Sequence, residues 1–494
     1  MDYSIDRSTS SGLATSSPNK PTFPENILRR IFDLCIRGPL VFPPSPREPR
    51  RVFTQVCGKW REIVLSTPTY WTTFDFARHE AQCPNNLIQL AELFFNRSGN
   101  DAPLAISFRA SFKLRSQLGG NIFALLIWPR AHRVWFLSCC VTKNDLRIFF
   151  GPGIRFPALQ AIHMAVIWNS ADSIASRIPV KDSIDLSIFR RTPLLRQASL
   201  RILDGIHPTD LYLPWGQMTK IDLQQTSIRI NEFMYIMEQS LLLEDGVFHV
   251  DLSQSYDRRT TTLRQISIPR LRQLRIRLVQ PSQDTRMFGK LAMAALDELW
   301  VEREEFGQAV RDTTIYEPLL SAVQTTVKHL TIAEYSIPQS NWYIPRLHRS
   351  SRLMYQDVDG ALRISENLTS LFLCPGVFIK PHTLEKLASG ELLPFLKTLG
   401  ISSVKGWDVI SMVRKKNLAS VLPEYGSSSG DAARRPVALE YLHLFVIGYE
   451  LDKSEVQELG DATKALCLVC GYAIRAMDVP KREPLYWNTS LGRS

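Results

Sequence analysis

The chain has 494 residues, of which 45% are apolar and 22% charged. This length exceeds one compact core, so we expect two or three domains or one elongated array. The formal net charge of +11 favours acidic partners or weak polyanion binding. It predicts no specific nucleic-acid recognition, because no recognition motif accompanies it. The longest apolar runs, such as 123–128, are far shorter than the ~20 residues that span a bilayer, so we expect no membrane partner.

Residues 1–22 are rich in Ser, Thr and Pro and lack an apolar stretch. We expect a disordered tail there and not a signal peptide, which needs a continuous apolar region. The expected location is therefore the cytoplasm, the nucleus or both, with the eight cysteines present as reduced thiols.

Residues 23–76 contain two apolar stripes with helical spacing. The first stripe consists of Ile27, Leu28, Ile31, Phe32 and Cys35, which share one helix face. The second predicts one further helix, whose apolar face is formed by Val52, Phe53, Val56, Cys57, Trp60, Ile63 and Val64. Thr67-Pro68 ends this helix, and an aromatic group follows, made of Tyr70, Trp71 and Phe74.

A segment this small and this apolar is marginal alone and needs a partner or a neighbouring domain to complete its burial. Periodicity alone favours the simpler interpretation, a helical hairpin inside a larger core. The order of the motifs favours the interpretation that a partner completes the burial of this segment. P-E-N-I-L-x-x-I-F-x-x-C is followed by V-C-x-x-W-R-x-I-x-L-S-T-P-x-x-W.

This combined motif resembles the F-box of basidiomycete-type (mushroom-type) F-box proteins. The matching residues are Pro24, Glu25, Ile27, Leu28, Ile31, Phe32, Cys35, Val56, Cys57, Trp60, Arg61, Ile63, Leu65, Ser66, Thr67, Pro68 and Trp71. The sequence departs from the family in the proline-rich insertion 38–49 and in Phe23, where leucine is commonest.

The resemblance implies a small all-helical domain at 23–76 that docks on the Skp-type adaptor of a cullin-RING ubiquitin ligase. The rest of such a chain receives the substrate. The residues that the resemblance assigns to the adaptor are Phe23, Pro24, Ile27, Leu28, Ile31, Phe32, Val56, Trp60, Leu65, Pro68 and Trp71.

Residues 77–133 are predicted to be a linker that contains a helix near 85–95 and a strand at 104–108. From 134 to 475 the pattern L-x-x-L-x-L recurs with apolar variants. Its instances are 157–164, 193–200, 218–223, 248–252 (weak), 271–276, 296–301, 327–332, 368–373, 396–401 and 439–444. Their separations run from about 20 to more than 40 residues, which is wider than the 20–29 of a regular leucine-rich repeat.

The last two apolar residues of each instance are two apart and face one side of a short strand. Stretches such as 231–243 and 383–388 would supply helical return segments, and stacking would bury a shared core. The predicted fold is thus an α/β repeat: a small helical F-box followed by an irregular leucine-rich-repeat-like solenoid over 134–475 and a tail at 476–494. The alternative is two ordinary α/β domains. Polar stretches at 339–363 and 427–436 are predicted to be loops.

No catalytic pattern is found. Cys467–Cys470 is the lone C-x-x-C, and we interpret it as a buried helix face, because a zinc site needs four ligands. The nine histidines are dispersed, and no G-x-S-x-G appears. We therefore expect no enzyme, cofactor or metal.

The stretch 264–277 holds five arginines and no acid. Arginine on the open side of a sheet could bind carboxylates or phosphates. The alternative is a solvated strand face balanced by acids such as Asp222 and Glu302. By period-2 registration, the candidate substrate face consists of Arg201, Asp222, Arg275, Arg277, Trp300, Phe372, His443 and Phe445.

These features together predict the substrate-recognition subunit of a Skp-cullin-F-box ubiquitin ligase, which binds the adaptor and an unknown target protein. One alternative is a repeat-type interaction scaffold without a ubiquitin-ligase role. The other is an enzyme with an unrecognised site in 134–475.

Overall fold

The computed structural model divides into two compact units, residues 1–108 and 109–494. The residues whose structure is described are 23–76, 87–109, 123–142, 146, 154–167, 187–202, 206–253, 265–279, 285–305, 316–336, 355–356, 358–373, 377–403, 406–421, 436–446 and 467–472. The expected tails at 1–22 and 476–494 lie outside them, as do 339–354 and 427–435.

The first unit has four helices in its described residues. They are α1 (Glu25–Cys35), α2 (Pro49–Val56), α3 (Gly58–Leu65) and α4 (Leu87–Arg97), with a 3-10 turn at Pro68–Trp71. The single helix predicted across 52–64 is wrong. Cys57 has an extended backbone, with φ −159° and ψ 170°, so the chain turns there and α2 and α3 pack against each other.

The first unit also contains a small parallel sheet. Strand β2 (Thr73–Phe76) pairs with β1 (Leu40–Val41) and with β3 (Leu104–Arg109). The prediction of an all-helical domain at 23–76 is therefore corrected. Leu40 on β1 and its cross-strand partner Phe74 on β2 are both buried. An extended segment can bury its backbone polar groups only by pairing with another strand. The boundary at 108/109 falls inside the stretch that we expected to be a linker.

Aromatic side chains form the core of the first unit. Phe32 stacks on Phe53 with ring centroids 4.6 Å apart and meets the edge of Trp60 at 5.0 Å. Trp71 stacks on Phe94 at 5.2 Å and donates its Nε1–H to the carbonyl of Val64 at 2.9 Å. These contacts join α1, α2 and α3 on one side, and the 3-10 turn and α4 on the other.

In the second unit the described strands follow the repeating pattern. They are β4 (Val134–Thr142), β5 (Ala161–Ile167), β6 (Gln197–Ile202), β7 (Lys220–Arg229), β8 (Asp245–Asp251), β9 (Ile266–Ser267), β10 (Gln273–Val279), β11 (Leu291–Ala292), β12 (Glu298–Glu305), β13 (His329–Ser336), β14 (Tyr355–Gln356), β15 (Ser370–Leu373), β16 (Phe378–Ile379), β17 (Thr398–Ser403), β18 (Tyr441–Val446) and β19 (Cys467–Tyr472). Each predicted L-x-x-L-x-L instance contributes a strand.

One long parallel sheet contains most of these strands in chain order. From β4 it runs through β5, β6, β7, β8, β10, β12, β13, β15, β17 and β18 to β19. The two-residue strands form separate pairs, β9 with β11 and β14 with β16. Parallel neighbours in sequence order, joined by return segments, are the organisation of a repeat solenoid.

The leucines of the repeat align across the sheet. The register puts in one row Leu274, Leu299, Leu330, Leu371, Leu399 and Leu442. All six are buried. Each strand thus completes the core of its neighbours, as the sequence pattern predicts.

Helices occupy several of the return segments. The described ones are α5 (Ile230–Gln239), α6 (Glu317–Ser321), α7 (Asp359–Ile364), α8 (Pro381–Ser389) and α9 (Gly406–Val421). Helices α5 and α8 confirm the predicted return segments at 231–243 and 383–388. Shorter helical turns lie at Phe123–Ile127, Trp128–Arg133, Ser187–Arg191, Pro208–Leu211, Trp215–Gln217 and Arg286–Lys290.

Two predictions in this unit are wrong. Helix α7 begins at Asp359, inside the stretch 339–363 that we expected to be a loop, and ends at Ile364. Cys467–Cys470 lies in strand β19 and not on a helix, where it pairs in parallel with β18. Among the helices described, none is long and apolar enough to cross a membrane.

Candidate functional site

The first unit exposes apolar side chains on two neighbouring helices. They are Phe23, Ile27, Ile31 and Leu34 on or just before α1, with exposed fractions of 61%, 42%, 37% and 54%, and Val52 and Val56 on α2, with 38% and 54%. Helices α1 and α2 meet through Phe32 and Phe53. We call these six residues the apolar face.

The residues predicted to bind an adaptor divide into two groups. Leu28, Phe32 and Trp71 are buried within the unit. They hold its helices together, so their assignment to a partner is corrected. The remaining residues are exposed or half-buried; they are Phe23, Pro24, Ile27, Ile31, Val56, Trp60, Leu65 and Pro68.

Helix α1 carries two apolar stripes side by side. At about 100° per residue, Ile27, Ile31 and Leu34 fall within a narrow arc, and Leu28 and Phe32 lie next to it. The second arc faces the core and the first stays outside. The apolar stripe predicted from the sequence combines residues of both arcs and omits Leu34, although the spacing of i, i+4, i+7 from Ile27 is a signal for Leu34.

Polar contacts hold α1 against the 3-10 turn at Pro68–Trp71. The Arg29 guanidinium donates to Glu25 at 2.7 Å and to the Thr67 hydroxyl at 2.8 Å. The Tyr70 hydroxyl donates to Asp33 at 3.0 Å, and burial together with Asp33 raises the pKa of Tyr70 to about 12. These bonds fix the orientation of α1, so the apolar face stays outward.

The candidate substrate residues lie on the sheet face opposite the leucine row. In this register Arg275 stands beside Trp300, and Arg277 beside Glu302. The same side of neighbouring strands holds Arg201, Asp222, Phe372 and His443. The backbone of Phe445 lies in β18, but its side chain is outside the described residues. That these side chains bind a target stays a prediction.

Arg275 is already engaged within the sheet. Its guanidinium forms an ion pair with Glu302, a buried carboxylate, and its Cζ lies 4.0 Å from the centre of the Trp300 ring. Such a stacked, paired arginine is fixed in place. Of the alternative interpretation, the balancing acid is present as Glu302, but the ion pair is largely buried and not solvated.

An aromatic pair lies farther along the same face. The Phe372 ring centroid is 5.3 Å from that of His443, although β17 runs between their strands. Gly400 is the residue of β17 between them, and a Cβ on it would lie only 2.2 Å from the Phe372 ring. The absence of a side chain at 400 thus lets the ring lie across the strand. Both aromatic side chains are half-buried.

Two histidines with lowered pKa values lie on this face. Burial lowers the pKa of His163 on β5 and of His249 on β8 to about 4, but strands β6 and β7 separate them. The Ser199 hydroxyl donates to Asp222 at 3.4 Å, and in the strand register Ser199 is the direct partner of His163 on β5. Over the part of the chain that the structure describes, no group of three or more His, Cys, Asp or Glu could hold a metal ion.

No family model matches this chain, and no curated protein matches it either. A leucine-rich-repeat protein of Leptospira interrogans is similar among solved structures, with 10% identity and a TM-score of 0.29. That alignment covers 82% of this chain and 97% of the other. The repeat architecture follows from the order and register of the parallel strands.

Proposed function

We propose that this chain is a non-catalytic receptor whose first unit docks on a Skp-type adaptor and whose repeat sheet holds a target protein. Through the adaptor it would join a cullin-RING ubiquitin ligase. Tethering raises the effective concentration of the target near the conjugating enzyme, so no catalytic group is required of the chain itself.

The observation that carries the proposal is the apolar face, which coincides with the motif that resembles an F-box. Three of its members, Ile27, Ile31 and Val56, are motif residues, and all three are exposed. Clustered large apolar side chains at a surface mark interaction sites more often than isolated ones do. Transfer of one such side chain from water to an interface contributes on the order of 1.5–3 kcal/mol.

The first prediction concerns single aspartate substitutions in the full chain. Ile27→Asp or Ile31→Asp should weaken capture of a purified Skp-type adaptor by roughly tenfold or more, because each places a charge in an apolar interface. Asn26→Asp is the matched control, since it adds the same carboxylate at an exposed polar position of the same helix. It should leave capture unchanged. Titration calorimetry gives the affinities and circular dichroism checks the fold.

Failure of the unaltered chain to bind any adaptor would overturn the ligase assignment. In that case a repeat-type scaffold would be the better description, provided that affinity capture through the repeat sheet still recovers a partner. Equal binding by the wild type and both isoleucine variants would show that the apolar face is not the docking site.

A further inference from the structure

A cavity of about 370 Å³ lies within the first unit between α2 and α4. Its apolar wall consists of Leu40, Pro44, Trp71, Leu90, Leu93 and Phe94. Its polar wall consists of Glu48, Arg50, Arg51, Thr54 and Arg97. The volume lies within the range of about 300–1,000 Å³ that is typical of small-molecule sites, which are mostly apolar with a few polar groups.

The cavity is separate from the apolar face. At about 100° per residue, Arg50, Arg51 and Thr54 lie on the side of α2 opposite to Val52 and Val56. On α4 the lining residues recur at i, i+3, i+4 and i+7 from Leu90, which is one continuous helix face. An adaptor on the apolar face would therefore leave this cavity unoccupied.

The described residues that line the cavity include three arginines and one carboxylate. The carboxylate of Glu48 forms an ion pair with Arg50, whose guanidinium also donates to the carbonyls of Tyr70 at 2.6 Å and Gly38 at 2.7 Å. That pair is complete within the protein. Arg51 and Arg97 form no ion pair with any residue in the described part of the chain.

Arg97 is the better placed of these two cations. Its Cζ lies 4.9 Å from the centre of the Trp71 ring and 5.2 Å from that of Phe94. The side chain is half-buried, and burial lowers its pKa. A guanidinium that is partly desolvated and stacked, with no paired carboxylate among the described residues, favours an anion that arrives with the ligand.

We propose that this cavity binds a small apolar carboxylate, with its hydrocarbon body against Trp71 and Phe94 and its carboxylate between Arg51 and Arg97. A ligand of this class matches both walls at once. The site lies outside the adaptor face and does not depend on the function proposed above.

The test uses the full chain and decanoate as the probe, with decanol as the uncharged analogue of the same chain length. Titration calorimetry should show saturable one-to-one binding of decanoate, with decanol at least roughly tenfold weaker. Arg51→Gln, which alters an exposed side chain, should weaken decanoate severalfold and leave decanol unchanged. The Arg51→Gln and Arg97→Gln double variant should bring decanoate to the level of decanol.

Arg30→Gln is the matched control, because it removes an exposed arginine of α1 outside the cavity. It should change nothing, and Ile31→Asp should leave decanoate binding intact whatever it does to adaptor capture. Equal affinity for decanoate and decanol, or an unchanged ratio in Arg51→Gln, would overturn the proposal. So would binding of the blocked peptide acetyl-Leu-Leu-Asp-amide with no binding of decanoate, which would assign the cavity to a protein segment.

Discussion

Lys416 is fully buried inside α9, where its ammonium group donates to two main-chain carbonyl oxygens. These belong to Leu387 at 3.4 Å and Leu393 at 3.3 Å. Burial lowers the pKa of Lys416 from 10.5 to about 8. Within the described residues no acid pairs with it, so the charged form is held at a cost in free energy.

The lowered pKa of Lys416 predicts that the free energy of unfolding depends on pH. Between pH 8 and 10.5 the unfolded chain keeps a proton that the folded chain has lost, so stability from this group rises with pH. Lys416→Met should therefore be more stable than the wild type at pH 7, by at most about 3 kcal/mol, and the difference should shrink by pH 10. Denaturant unfolding at both pH values measures it.

Lys415→Met is the control, since Lys415 is exposed on the same helix. Its stability difference from the wild type should vary little with pH. Parallel curves for the wild type and Lys416→Met would contradict the lowered pKa.

At the scale of elements, Asp359 connects two helices of the second unit. It opens α7, and its carboxylate accepts hydrogen bonds from Thr383 and Lys386 of α8, both at 2.5 Å. Burial alone would raise the pKa of Asp359, but the hydrogen bonds from Lys386 and Thr383 and the charge of Lys386 lower it. The ionised carboxylate therefore stabilises the junction between the two helices.

Asp359→Asn is predicted to destabilise the chain by on the order of 1–3 kcal/mol at pH 7, because it removes a charged acceptor from a buried junction. A lowered pKa means that the contribution is present above the usual aspartate range and is lost as pH falls through the folded value. The variant and the wild type should thus converge in acid. Urea unfolding from pH 7 downward measures this, and Glu385→Gln, an exposed neighbour on α8, serves as the control.

The main strands of the second unit could be predicted from the sequence because each repeat combines apolar residues with a spacing of two between them. In 296–301, for example, Leu299 and Val301 face one side and are buried, while Trp300 between them faces the other. Spacing of two residues is specific to strands. The same alternation placed Arg275 and Phe372 on the open face.

The predictions that the structure contradicts also have local physical reasons. The apolar spacing across Cys57 is compatible with a continuous helix, and only the packing of α2 against α3 shows the break. The spacing of three residues between Cys467 and Cys470 fits one face of a helix, and only the pairing of β19 with β18 shows that the segment is a strand. For the candidate site, motif matching selected Leu28 and Ile27 alike, but tertiary packing buries one and exposes the other. The cavity beside Arg97 depends on long-range packing and left no signal in the sequence.

At the scale of the whole molecule, the parallel sheet makes stability a property of neighbouring repeats. Leu299 is buried between Leu274 and Leu330 in the leucine row. Stability in such an array is close to a sum of repeat and interface terms. A destabilising substitution in one strand should therefore lower the stability of the neighbouring strands and have little effect farther along the sheet.

Leu299→Ala is predicted to cost about 2–5 kcal/mol of stability through the cavity that it leaves. Hydrogen exchange followed by mass spectrometry should show faster exchange in β10, β12 and β13, with β5 and β6 nearly unchanged. Thr331→Ala on the open face is the control and should cost less than about 1 kcal/mol. Uniform loss of protection across the sheet would contradict a repeat array.

The parallel direction of the strands has an evolutionary consequence. After every strand the chain must return to the edge of the sheet at which the next parallel strand begins. The row of leucines does not fix the length of that return segment. Leu330 and Leu371 are partners in adjacent strands, although the sequence between them is longer than between Leu274 and Leu299, which are also partners. Insertions in the return segments of this protein are therefore compatible with an unchanged register of the parallel strands.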